Sequence, residues 1–250
     1  MAIQAEFRDL VSAIGERCQK RFETRLYSTY LAGSTAVAEA LPGISDLDWW
    51  AFIRDEPSSA DQSWRRRTQK QLEIEIPVAS EVHINVFSIK RLRQESFWRF
   101  ILRYNTARLS GPDLIAELEQ QGLHTPRPDR ILAKSRLPFV RQCLTDAIAG
   151  KNPQALGELP ANPFLVTRKL ARNFVIVEGA FVLMCNGAFR SFKQEVVLEG
   201  IVALFPQWRP LIQKVEAISS DPNLVGIHPS DLMTDIEPFI EWAISIIEKA

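Results

Sequence analysis

The sequence predicts an α+β protein in two parts: a small mixed β-sheet with flanking helices, followed by an α-helical bundle. Three observations carry this. Between residues 26 and 89, short runs rich in aromatic and β-branched residues alternate with helical patterns. Around "LSGPDLIAELEQQGLHTPRPDR", prolines and glycines break the pattern. Beyond that break every periodic segment repeats apolar residues at three- and four-residue intervals, and no strand pattern recurs. The boundary therefore falls near residue 130, giving an N-terminal domain over 1–130 and a helical domain over 131–250. With 250 residues, 46% hydrophobic and 24% charged, the chain is long enough to bury two such cores.

In chain order, "MAIQAEFRDLVSAIGERCQKRFE" reads as an amphipathic helix with charges of both signs, unlike the basic start and unbroken apolar run of a signal peptide. "LYSTYLA" is a strand, "STAVAEAL" a short helix and "DLDWWAFI" a second strand. The polar stretch "RDEPSSADQ" reads as a loop leading into the basic helix "SWRRRTQKQLEI", and "EVHINVFSI" alternates as a third strand. In the second half, "ILAKSRLPFVRQCLTDAIAG" is a helix in which Pro138 predicts a kink. It is followed by helices over "PFLVTRKLARNFVIVEGAFVLMCNG", "FKQEVVLEGIVALF", "QWRPLIQKVEAIS" and "PSDLMTDIEPFIEWAISIIEKA".

Several function classes drop out on composition. The formal net charge is zero, which speaks against a partner held mainly through nucleic-acid phosphates. Arg65, Arg66, Arg67 and Lys70, and later Lys90, Arg91, Arg93, Arg99 and Arg103 around Phe97 and Trp98, read as wet faces of amphipathic helices rather than an RNA track. The apolar run nearest to a membrane span, "NFVIVEGAFVLMCNGAF", is interrupted by Glu178 and falls short of about 18 residues, so no membrane partner is expected. Cys18, Cys143 and Cys185 are far apart and form no CxxC pair, which argues for a reducing cytoplasm and against a disulfide framework or zinc site. His83, His124 and His228 are equally scattered, and each reads as a surface or hydrogen-bonded residue. Oligomeric state is not legible in the sequence.

The segment "YLAGSTAVAEALPGISDLDWWAFI" carries the chemistry. Residues two apart in a strand point to one face, about 6.5 Å apart, so Asp46 and Asp48 face together while Leu47 points to the other side. Two carboxylates so close repel, and burying them unpaired costs several kcal/mol. A divalent ion removes the conflict, and hard oxygen ligands suit Mg²⁺ with nucleotide phosphates completing its shell. The plain alternative is a turn residue followed by an exposed strand residue. Its context argues otherwise. Gly33-Ser34 ends a strand and opens a helix, presenting backbone N–H groups and a hydroxyl where a phosphate can be held. Glu81 begins the third strand, whose alternation sets Glu81, His83 and Asn85 on one face.

A Gly-Ser pair, a short helix and loop, an Asp-x-Asp strand and a third carboxylate on a later strand resemble the nucleotidyltransferase fold of the DNA polymerase β superfamily. Here they are Gly33-Ser34, "TAVAEALPGIS", Asp46-Leu47-Asp48 and Glu81. The resemblance sharpens to the aminoglycoside adenylyltransferases of the streptomycin and spectinomycin type. Their glutamate lies in a Glu-Val-x-x-x-Val context, as in "EVHINVF", and "LSGPDL" resembles the Gly-Pro element after their catalytic domain. "MCNGAFRSFKQEVVLEGIVALFPQWRPLIQKVEAI" is similar to their segment with a lysine after a short turn, which puts Lys193 in the lysine position. The similarity runs in pieces from about Leu31 to Ile218.

The resemblance implies an ATP-dependent transfer of AMP to a hydroxyl of a small molecule, an aminoglycoside antibiotic among the candidates, with release of pyrophosphate. Asp46 and Asp48 would bind two Mg²⁺ ions bridging the ATP phosphates, with Gly33, Ser34 and Lys193 holding the triphosphate. Glu81 would take the proton of the acceptor hydroxyl, serve as a metal ligand, or both. Trp49 and Trp50 depart from a plain aliphatic strand and read as core. Glu178 and Glu195 are weighed as lining for a polycationic acceptor and read as paired or solvated helix faces instead. The acceptor therefore stays open, with a protein side chain, an RNA or a catalytically silent nucleotide-binding module as rival readings.

Overall fold

The computed structural model describes residues 3–156 and 162–250 of the chain. Two compact units make it up, Met1–Pro126 and Arg127–Ala250.

In the first unit, α1 (Arg8–Phe22) buries Leu10, Ile14, Cys18 and Phe22 along one stripe, the four-residue spacing of its sequence pattern. There follow β1 (Leu26–Ala32), α2 (Gly33–Ala36), β2 (Leu47–Ile53), α3 (Ser59–Glu75), β3 (Val82–Ser88), α4 (Ile89–Gln94), α5 (Ser96–Tyr104), β4 (Thr106–Ser110) and α6 (Leu114–Gln120). The strands form one sheet in the order β3-β2-β1-β4. β1 is antiparallel to β2 and β4, and β2 is parallel to β3, so the sheet is mixed.

Three local expectations change. α2 lasts four residues, ending where Ala38 takes a positive φ of 61°. α3 starts inside the stretch expected as a loop, because Ser58 and Asp61 form a reciprocal capping box. β4 was not foreseen: "TARLS" is an edge strand with no buried residue and hence no two-residue alternation to read.

The two sheet faces are covered differently. Leu31, Leu47, Trp49, Ala51, Ile53, Val82, Ile84 and Val86 pack with the buried stripe of α1 and with Leu72 of α3. Tyr30, Trp50 and Phe52 pack against Leu92, Leu102 and Leu114 of α4, α5 and α6. Trp49 and Trp50 thus enter opposite cores, as adjacent strand residues must. Trp50 meets Phe87 and Trp98 edge-on, with ring centroids 5.2 and 5.4 Å apart.

Asp61 ties α3 to the end of α1. Its side chain is fully buried, and it accepts from Arg21 at 2.7 Å and Arg25 at 3.0 Å. Burial alone would raise its pKa, but hydrogen bonds from Arg25, the Ser58 amide and hydroxyl, and Arg21 hold the carboxyl well below its usual range. Asp61→Ala is therefore expected to cost about 3 kcal/mol, the low end for a broken buried pair because both guanidinium groups keep contact with water. Since the folded pKa is depressed, this stabilisation is complete above the ordinary carboxyl range and is lost as pH falls through the folded value. Urea unfolding of wild type and variant checks both points: the gap should be full at neutral pH and shrink in acid.

The second unit is a bundle of α7 (Arg130–Ile148), α8 (Pro163–Leu170), α9 (Glu178–Cys185), α10 (Gln194–Leu204), α11 (Arg209–Ser220), α12 (Pro222–Val225) and α13 (Pro229–Lys249). α7 continues through Pro138. A π-helical stretch, Ala171–Val177, joins α8 to α9, so the expected single helix is wound wider in its middle. The core is built on Phe174, Phe181, Ile201, Val215, Ile236 and Phe239. Glu178 is buried inside this unit with Arg136 at 3.7 Å, and burial, partly offset by that arginine, pushes its carboxyl up to about 7. Glu195 is exposed on the first turn of α10. Among the described residues no helix is long and apolar enough to cross a membrane.

Candidate active site

Parallel pairing of β2 with β3 builds the site. The register sets Leu47 against Val82 and Asp48 against His83. Asp46 and Glu81 each precede their strand by one residue, and two bonds carry the ladder back to them: Leu47 N–H donates to the Glu81 carbonyl at 2.9 Å, and Ser80 N–H to the Ser45 carbonyl at 2.9 Å. Because both strands start at the same end, 46 lies beside 81 and 48 beside 83. With side chains alternating, Asp46, Asp48, Glu81 and His83 share one face at the starting edge of the two strands.

Their side chains converge. His83 Nε2 lies 3.3 Å from Glu81 Oε2 and 3.9 Å from Asp46 Oδ2. One ligand atom each from Asp46, Glu81 and His83 fall within 4.8 Å of one another, the only such group of three or more among the described residues. All three remain partly accessible, at 33%, 16% and 30% of the side chain. Burial tends to lower the His83 pKa, but the Glu81 hydrogen bond and the charges of Asp48, Asp46 and Glu81 outweigh it and raise it to about 9. The carboxylates around His83 make this face favourable to positive charge. The donor set, carboxylate oxygens on a half-open edge, suits a divalent ion with room for phosphate oxygens.

Asp48 lies against the glycine turn. Gly33 has φ +63°, a conformation side chains other than glycine rarely adopt, and a Cβ there would come within 3.2 Å of Asp48 Oδ2. Gly33 is required twice, for the turn and for the space beside the carboxylate. Its N–H donates to the Asn105 carbonyl at 3.2 Å, so the segment leading into β4 anchors the turn. The buried Ser34 follows, its carbonyl accepting from Glu39 N–H at 2.9 Å, and Thr35 Oγ1 donates to the Ala32 carbonyl at 3.0 Å.

Five sequence-expected residues, Gly33, Ser34, Asp46, Asp48 and Glu81, belong to the first unit. Lys193 belongs to the helical unit, where it is exposed at the residue before α10 and its N–H donates to Ser191 Oγ at 3.1 Å. Two participants escaped sequence reasoning. Asn105 acts through its carbonyl and leaves no trace in residue type. His83 sits on the face that strand alternation predicts, but its carboxylate neighbours come from pairing with another strand, which a lone histidine in a sequence does not reveal.

No protein-family model matches the chain. No curated protein matches it either. Among solved structures it is similar to the spectinomycin adenyltransferase AAD(9) from Enterococcus faecialis, determined with ATP and spectinomycin. That likeness has a TM-score of 0.59 at 11% identity and covers 96% of this chain and 98% of that one. At this identity the likeness is one of fold alone: the chain shares its overall architecture with that adenyltransferase. A toxin–antitoxin with AMP-PNP and a mutant of the toxin–antitoxin MntA-HpeT, 15% and 14% identical, each cover 58% of this chain and 99% of theirs, at a TM-score of 0.33.

Proposed function

We propose that the protein is an ATP- and Mg²⁺-dependent adenylyltransferase that moves AMP onto a hydroxyl of a small molecule, an aminoglycoside antibiotic being the first class to test, and releases pyrophosphate. The observation that carries the proposal is the convergence of Asp46, Asp48, Glu81 and the glycine-only turn at Gly33 on one edge of the sheet. The fold shared with an enzyme solved with ATP and spectinomycin supports it.

In this reading Asp46 and Asp48, with Glu81, would hold two Mg²⁺ ions, which when bound would supply charge neutralisation to the triphosphate. The Gly33 turn and Ser34 hold its terminal phosphates. Glu81 accepts the proton of the acceptor hydroxyl. The hydroxyl oxygen bonds to the α-phosphorus as the bond to the bridging oxygen breaks, and pyrophosphate carries away that electron pair. Nothing covalent is asked of the protein, whose contribution is alignment, charge and a positioned base.

Lys193 is proposed as a further triphosphate ligand, a charge-assisted contact worth about 1.5–3 kcal/mol. Lys193→Ala should then weaken ATP binding by one to two decades in calorimetry. Unchanged affinity would make Lys193 a surface residue.

The whole proposal is tested by incubating the chain with labelled ATP and Mg²⁺ against panels of aminoglycosides, other hydroxylated metabolites and cell proteins, then weighing whatever gains AMP. Label on a small molecule supports it. Label on a protein moves the acceptor to a different class, and ATP binding without transfer to any panel favours a silent module.

A further inference from the structure

We propose that His83 is a nitrogen ligand of the metal site, and that the site therefore favours transition-series divalent ions over Mg²⁺, with Mn²⁺, the one that shares the Mg²⁺ liking for carboxylate oxygen, as the probe. The inference rests on the metal-dependent site proposed above and assigns to it a residue and a specificity.

The geometry is that of a coordination shell about to close. Ligand atoms bound to one ion at about 2.1 Å in octahedral geometry lie about 3 Å apart when adjacent and about 4.2 Å when opposite. His83 Nε2 lies 3.3 Å from Glu81 Oε2 and 3.9 Å from Asp46 Oδ2, and all three ligand atoms lie within 4.8 Å of one another. Contraction of well under 1 Å per atom would place them around one ion. The register makes this placement a property of the sheet: His83 is the Cα partner of Asp48, so its ring leaves the strand among the carboxylates. The ring is also 30% exposed, leaving an approach for an ion that brings phosphate oxygens with it.

Ligand chemistry sets the preference. Carboxylate oxygens suit Mg²⁺ and Mn²⁺ alike, whereas an imidazole nitrogen suits transition-series ions and adds little for Mg²⁺. A site with carboxylates and one imidazole thus accepts Mg²⁺ through its oxygens and gains further affinity for Mn²⁺ through the nitrogen.

The test is pulsed EPR of Mn²⁺ bound to the full chain with a non-hydrolysable ATP analogue, in natural-abundance and ¹⁵N-histidine-labelled protein. A directly bound imidazole should produce a nitrogen modulation that changes with the isotope, which separates it from any adenine nitrogen. The signal should vanish in His83→Gln and persist in His228→Gln. By competition titration, His83→Gln should lower the preference for Mn²⁺ over Mg²⁺ by at least about tenfold. If Mn²⁺ binds with the nucleotide, depends on Asp48, and yields no histidine modulation, the inference fails while the proposed function stands. If neither Mn²⁺ nor Mg²⁺ binds with nucleotide, the proposed function fails with it. The isotope experiment needs no variant, so a misfolded His83→Gln would leave the inference decidable.

Discussion

Asp48→Asn is expected to lower AMP transfer by at least about a thousandfold while the chain stays folded. Asparagine keeps the size and one oxygen but removes the charge proposed to hold a divalent ion beside the triphosphate. Metal stabilisation of a transferring phosphoryl group is worth several kcal/mol, and about 4 kcal/mol corresponds to three decades in rate. The fold should survive because the Asp48 side chain stands on the half-open edge of β2, while Leu47 and Trp49 hold the strand in the core. Removing one of three neighbouring carboxylates also relieves repulsion. Single-turnover rates, metal titration with nucleotide, and thermal unfolding should be measured on one preparation. Normal turnover in a folded Asp48→Asn protein would remove the metal assignment.

Glu81→Gln is expected to depress turnover by about 10² to 10⁴, the contribution of a positioned base, while sparing ATP affinity more than Asp48→Asn does. Glutamine preserves the shape at the start of β3, and the backbone bond from Leu47 N–H to the residue-81 carbonyl does not depend on the side chain. What it lacks is a lone pair basic enough to receive a hydroxyl proton. Glu81 also lies 3.3 Å from His83 and within 4.8 Å of Asp46, so the two roles must be separated by comparing rate with nucleotide affinity. Loss of affinity equal to that of Asp48→Asn would make Glu81 a metal ligand first. An unaltered rate with every acceptor would assign the proton to another group or to water.

The parts of the site legible in the sequence were those with a local cause. β3 is buried at every second residue over "VHINVFS", so its period announced both the strand and the face carrying Glu81, His83 and Asn85. β1 and β2 were legible for the same reason, and Gly33 because so few residues other than glycine end a strand in a left-handed turn. The start of α3 is also written locally, in the Ser58-x-x-Asp61 spacing, though the polar stretch around it has the composition of a loop. β4 had no local cause to read, since an edge strand with no buried residue carries no alternation.

By itself the sequence determined which residues face together within each strand, where the glycine turn must lie, and that carboxylates of two different strands are candidates for one metal. It did not determine that those strands are neighbours. Between Ile53 and Val82 the chain passes through α3, and the direction and register of its return are set by how α1 and α3 bury one face of the sheet while α4, α5 and α6 bury the other. Only that pairing, Leu47 with Val82 and Asp48 with His83, turns two separate patterns into one cluster and brings an imidazole among the carboxylates. The physical reason is range. Side-chain alternation is a property of one backbone and survives in any context, whereas register is a contact between segments far apart in the chain, chosen by what the whole unit can bury.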